Sequence, residues 1–172
     1  ICTPTGDIRD GDTKINLLDI STKKFRELNI TGSLSSSIAF SPDGSKLVFA
    51  KTPRESAYYK WKVEEDVVLE IYDLEKEEAI MRLCEFDRSV RPIKWTSKGI
   101  LATWQDRANY RIGMVSEEVK ISSIYSEDVC YIADADSTPD GEHIAYIKIE
   151  KNRAAEIYIN EVQITNESKV YE

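Results

Sequence analysis

Apolar residues in this chain come in short runs, and polar clusters rich in Gly, Pro, Asp and Ser separate them. The run Leu47-Val48-Phe49-Ala50 follows Ser41-Pro42-Asp43-Gly44-Ser45-Lys46, and Ile144-Ala145-Tyr146-Ile147 follows Thr138-Pro139-Asp140-Gly141-Glu142-His143. Runs this short, bounded by turn residues and rich in Val, Ile, Phe and Tyr, predict strands and not helices. Proline sets φ for the first corner of such a turn, and glycine accepts a positive φ without steric cost. Each Pro-Asp-Gly phrase therefore predicts a hairpin.

The phrase repeats. Gly44 and Gly141 lie 97 positions apart, and a degenerate copy, Ile93-Lys94-Trp95-Thr96-Ser97-Lys98-Gly99-Ile100-Leu101-Ala102-Thr103-Trp104, lies between them. That copy keeps the aromatic, the hydroxyl residue and the turn glycine, and loses Pro-Asp. The intervals become 55 and 42 positions. A second phrase recurs behind each hairpin: Ile15-Asn16-Leu17-Leu18-Asp19-Ile20, Leu69-Glu70-Ile71-Tyr72-Asp73-Leu74, Tyr110-Arg111-Ile112-Gly113-Met114-Val115 and Glu156-Ile157-Tyr158-Ile159-Asn160. A polar turn and a further strand come after it, as at Ser21–Lys24, Glu75–Glu78 and Ser116–Glu118. Between 75 and 84, Glu, Lys, Ala, Met and Leu favour helix by propensity, but the repeat order predicts a strand there.

Two phrases recurring in one order every roughly 40–50 residues predict an all-β fold of β-propeller blades, each a four-stranded antiparallel sheet. The reading is a single propeller unit over 1–172, divided into an incomplete blade at 1–30 and full blades at 33–85, 88–126 and 129–172. That makes about three and three-quarter blades. An open stack exposes strand edges and apolar faces at its ends. The expectation is a large contact made by residues of 1–30 and 145–172, with a second copy, with missing blades of the same polypeptide, or with the C-terminal segment acting as the absent first strand.

Composition narrows the function classes. The net charge is −8, from 23 basic and 31 acidic residues, which argues against nucleic acid as a partner, because backbone binding rests on Lys and Arg. No apolar run reaches the roughly 18 residues of a membrane span. Cys2, Cys84 and Cys130 form no CxxC pair and read as buried reduced thiols. No Gly-x-Ser-x-Gly elbow is present. His143 is the single histidine and reads as structural. Asp7, Asp10 and Asp12 do not match the EF-hand spacing and read as a solvated turn. The expectation is therefore no catalytic residue, no metal site and no cofactor. One segment stands out, the long connection at 51–65, where Tyr58, Tyr59 and Trp61 lie among Arg54, Lys60 and Lys62. Aromatic and Arg side chains dominate binding hot spots, so Arg54, Tyr58, Tyr59 and Trp61 are the candidate interaction residues.

Ser41-Pro42-Asp43-Gly44 followed by Ile71-Tyr72-Asp73-Leu74 resembles the WD-like repeats of TolB-type propellers. Asp7-Ile8-Arg9-Asp10-Gly11-Asp12 leading into Ile15-Asn16-Leu17-Leu18-Asp19 looks like an inter-strand hairpin of the same family. Similar blades form the propeller domains of prolyl-oligopeptidase-type peptidases. The resemblance covers nearly the whole chain and implies the fold more strongly than a function. It implies a non-catalytic module for protein or peptide binding, or a propeller domain gating a serine peptidase whose catalytic domain is outside this chain.

Overall fold

The computed structural model describes residues 2–4, 13–30, 32–52, 67–82, 89–106, 109–118, 120–125, 130–151 and 153–166. Its elements are strands. Blade one is a three-stranded sheet of β1 (Cys2–Pro4), β2 (Thr13–Leu18) and β3 (Phe25–Glu27). Blade two holds β4 (Ser33–Phe40), β5 (Lys46–Thr52), β6 (Val68–Asp73) and β7 (Glu78–Arg82). Blade three holds β8 (Val90–Thr96), β9 (Gly99–Asp106), β10 (Asn109–Val115) and β11 (Ile121–Ile124). Blade four holds β12 (Cys130–Ser137), β13 (Ile144–Glu150), β14 (Ala155–Ile159) and β15 (Val162–Gln163). Every sheet is an antiparallel meander in chain order. Within the segment whose propensity favours helix, Glu78–Arg82 forms β7, so the repeat outweighs propensity there. The C-terminal strand β15 pairs with β14 in its own sheet and not with blade one.

The turns explain why these phrases recur. In blade two, Ser41 N–H donates to Lys46 O and Gly44 N–H to Ser41 O, both at 2.9 Å. Ser41 Oγ donates to Asp43 Oδ1 at 2.6 Å and accepts from Lys46 N–H at 2.9 Å. Blade four repeats the arrangement with Thr138, His143 and Gly141, and Thr138 Oγ1 donates to Asp140. Gly44 and Gly141 have φ of 73° and 71°, the left-handed region that glycine enters without steric cost. In blade three the hydroxyl of Thr96 does the same local work, accepting from Lys98 N–H at 3.2 Å and donating to Gly99 O at 2.9 Å. That hydroxyl is one of the parts of the phrase that the degenerate copy retains.

Alternation along each strand sends neighbouring side chains to opposite faces, and three inter-blade cores result. Ile15, Leu28 and Ile30 of blade one meet Leu47, Phe49 and Tyr72 of blade two. Val48, Leu69 and Ile71, on the other face of blade two, meet Trp95, Ile100, Ala102 and Trp104 of blade three. Leu101, Ile112 and Met114 meet Cys130, Ile132, Ile144 and Tyr146 of blade four. Cys130 is buried within that last core, where its thiol donates to Tyr110 O at 3.6 Å.

Candidate functional site

Among the described residues, a concave feature lies between blades one and two. It is a cavity of about 890 Å³, walled by Ile15, Leu17, Leu18 and Phe25 of blade one and by Ile38, Phe40 and Leu47 of blade two. Asp19, Thr22, Lys24 and Arg26 add polar groups at its border. Leu47 is the second residue of β5, so the cavity sits at the end of the sheets that carries the 41–46 turn.

Among the described residues, the two sheets that meet at the cavity differ in strand count. In blade three, Trp95 pairs across from Ile100, one pair in from the turn, and it is 5% exposed beneath blade two. Phe40 pairs across from Leu47 at the matching position and is 55% exposed. Among the described residues, the sheet over Trp95 has four strands and the sheet over Phe40 has three. Among the described residues, β1 pairs with β2 only opposite Thr13, Lys14 and Ile15. The Leu17–Leu18 end of β2 therefore borders the cavity and not β1.

Local polar chemistry holds the mouth. Asp19 Oδ1 accepts from Ser21 Oγ at 2.6 Å, Ser21 N–H at 2.8 Å and Thr22 N–H at 3.0 Å. The Ser21 hydroxyl, then the Thr22 N–H, hold the Asp19 carboxyl down at about 2, against an ordinary 3.8. The Ser41 hydroxyl, then the Ser45 N–H, do the same for Asp43. Arg26 ties the two blades together, donating to Glu77 Oε1 at 2.6 Å and to Leu74 O at 3.3 Å.

These carboxylates make a pH prediction. A carboxyl with a lowered folded-state pKa stabilises the fold fully above its unfolded value and loses that contribution as pH falls through the folded value. The melting temperature is expected to drop between about pH 4 and pH 2. The drop should be smaller in the Asp19→Asn/Asp43→Asn double variant, as thermal scans by circular dichroism would show. Equal acid sensitivity in both proteins would disprove it.

The predicted interaction residues Arg54, Tyr58, Tyr59 and Trp61, and the acidic turn Asp7, Asp10 and Asp12, lie outside the described residues, as does Cys84. His143 is exposed in its turn, with Nδ1 3.3 Å from Asn160 Nδ2. Among the described residues, no three His, Cys, Asp or Glu side chains gather as a metal site, and no helix is long and apolar enough to cross a membrane.

One feature of blade two escapes the hydrophobic pattern: a buried ion pair. Lys51 and Glu70 are 5% and 3% exposed at their side chains, with Nζ 2.8 Å from Oε2. Gly32 packs over it, since a Cβ at Gly32 would lie 3.3 Å from Lys51 Cδ. Lys148 is likewise buried, 2.8 Å from Glu150 and 5.2 Å from the Tyr158 ring centroid. A signal for both exists in the chain, because each lysine follows its turn glycine by seven positions.

Four-stranded antiparallel meanders packed face to face in chain order are the blades of a β-propeller. Solved structures with this fold include the acylaminoacyl peptidase of Pyrococcus horikoshii, 22% identical over 96% of this chain and 25% of that one, with a TM-score of 0.71. TolB from Acinetobacter baumannii is 17% identical over 86% of this chain and 35% of its own, at a TM-score of 0.64. The β-propeller domain of the Trilobed protease from Pyrococcus furiosus is 22% identical over 86% of this chain and 40% of its own, at 0.60. The chain thus spans between a quarter and two fifths of the length of these three proteins. No protein-family model and no curated protein matches it.

Proposed function

We propose that this chain is a non-catalytic β-propeller module that binds protein or peptide and seats an extended apolar segment in the cavity between blades one and two. The observation that supports this is the exposure of Phe40 at a position whose counterpart, Trp95, is covered. Pockets that recognise ligands are concave and mostly apolar, with a few placed polar groups. Here the apolar walls are joined by Asp19, Thr22 and Lys24 at the rim. A segment lying along the Leu17–Leu18 end of β2 takes the place a further strand would occupy, the mode in which a peptide adds to a sheet.

The test is an amide chemical-shift titration with a peptide of alternating valine and threonine. Shifts are expected at Leu17, Leu18, Phe25 and Phe40, and they should vanish in Phe40→Asp. A spectrum unchanged at saturating peptide, or changes elsewhere on the molecule only, would end this reading. A second reading draws on the likeness to two peptidase structures: the blades gate a serine peptidase. An α/β-hydrolase segment encoded in the parent gene product would favour it.

A further inference from the structure

Blade two is built of two hairpins joined along one seam. The 41–45 turn sets β4 against β5, with Gly44 N–H donating to Ser41 O and Ser41 N–H to Lys46 O. The 74–77 turn sets β6 against β7, where Asp73 Oδ1 accepts from Glu75 N–H at 3.0 Å and from Lys76 N–H at 2.9 Å. Tight turns of this kind fix the register of the strands they join. The seam between β5 and β6 is closed instead by residues 53–67. Length alone does not tie a connection of that size to one register, because the entropy of closing it changes little from one register to the next. The matching connections are 107–108 in blade three and 151–154 in blade four.

The apolar pattern does not select a register at the seam either. In β5, Leu47 and Phe49 face blade one, and Val48 faces blade three. In β6, Tyr72 faces blade one, and Leu69 and Ile71 face blade three. All six are buried. A strand with one apolar face is held in place, since a slip of one residue turns that face to water. A one-residue slip of β6 against β5 only exchanges one apolar face for another. Charge removes this ambiguity. Lys51 and Glu70 reach across the seam on the blade-one side: Lys51 lies opposite Val68, Glu70 lies opposite Phe49, and the ammonium is 2.9 Å from Oε1 and 2.8 Å from Oε2. A one-residue slip in either direction would turn Glu70 toward the core of Val48, Trp95 and Trp104 and leave Lys51 on the opposite face. Each charge would then be buried away from the other, among the costliest changes a core can suffer.

We infer that the Lys51–Glu70 pair is a register lock, which selects the face that the β6–β7 hairpin turns toward blade one. Its role is specificity and not net stability, and it does not depend on the peptide-binding reading. Amide NMR of the Lys51→Met/Glu70→Leu variant tests it. The wild type is expected to give one set of resonances over β5–β7, with contacts between the register partners Val48 and Ile71 and between Ala50 and Leu69. The double variant should add a second set, holding at least about a tenth of the intensity, with cross-strand contacts displaced by one residue. Replacing residues 53–66 by Asn-Gly in that variant should abolish the second set, because a two-residue turn pairs Thr52 with Val67 and so continues the native register. A double variant that folds with the short connection alone would support the lock equally. A single native set with the long connection would overturn the inference. So would a doubling that the short connection leaves in place, or a double variant that folds with neither connection.

Discussion

Trp95→Ala is expected to lower the unfolding free energy by about 3–5 kcal/mol, the range for removing a large aromatic from a packed core. Trp95 lies between Val48, Leu69 and Ile71 of blade two and Ile100, Ala102 and Trp104 of its own blade. The indole fills the gap between two sheets, and neither can close on the space it leaves. Folded domains are stable by only about 5–15 kcal/mol, so the change removes a large part of the total. For a chain of this length the midpoint should fall by roughly 6–20 °C. Phe40→Ala, at the matching register position, should cost about 1 kcal/mol or less, because half of that ring already faces water. Urea unfolding of the two variants side by side checks the pair. A larger loss at Phe40 than at Trp95 would mean that blade one covers β4 more fully than the cavity implies.

Glu70→Ala should cost a similar 3–5 kcal/mol, for a different reason. It leaves the Lys51 ammonium buried without its carboxylate, and an uncompensated buried charge is among the most destabilising single changes. The Lys51→Met/Glu70→Leu double variant removes both desolvation costs and is expected to lie close to the wild type or above it. A double-mutant cycle by chemical denaturation measures the coupling. A double variant as unstable as Glu70→Ala alone would show that the pair contributes through its hydrogen-bonded geometry and not by mutual neutralisation.

The fold was legible in the chain because its signals are local. A Pro-Asp-Gly hairpin depends on φ preferences and on hydrogen bonds within six residues, Ser41 to Lys46 and Thr138 to His143. Thr96 shows how a phrase can lose Pro-Asp and still close its turn, since one hydroxyl both accepts and donates there. Alternation in β5 and β6 likewise fixed that both faces of blade two are apolar.

The candidate site was less legible, because exposure depends on what lies opposite. Phe40 and Trp95 look alike along the chain, and among the described residues it is the sheet opposite that separates a cavity wall from a core residue. Gly44 and Gly141 also look alike. A Cβ at Gly44 would meet nothing within 4 Å, whereas one at Gly141 would come within 2.7 Å of Thr96 Oγ1 in the neighbouring blade. Phrase similarity would align Tyr158 with Tyr72, yet the register puts Asn160 opposite Ile144, where blade two has Tyr72 opposite Leu47. The cause is the tight β14–β15 turn, in which Asn160 and Glu161 both take positive φ, the two-residue geometry that suits a hairpin. Sequence by itself determined the turns, the strand alternation and the order of the blades, since each rests on residues close together in the chain. Which apolar faces are covered, which lysines are buried and where a cavity opens were decided by the packing of one sheet on the next, through contacts between residues tens of positions apart.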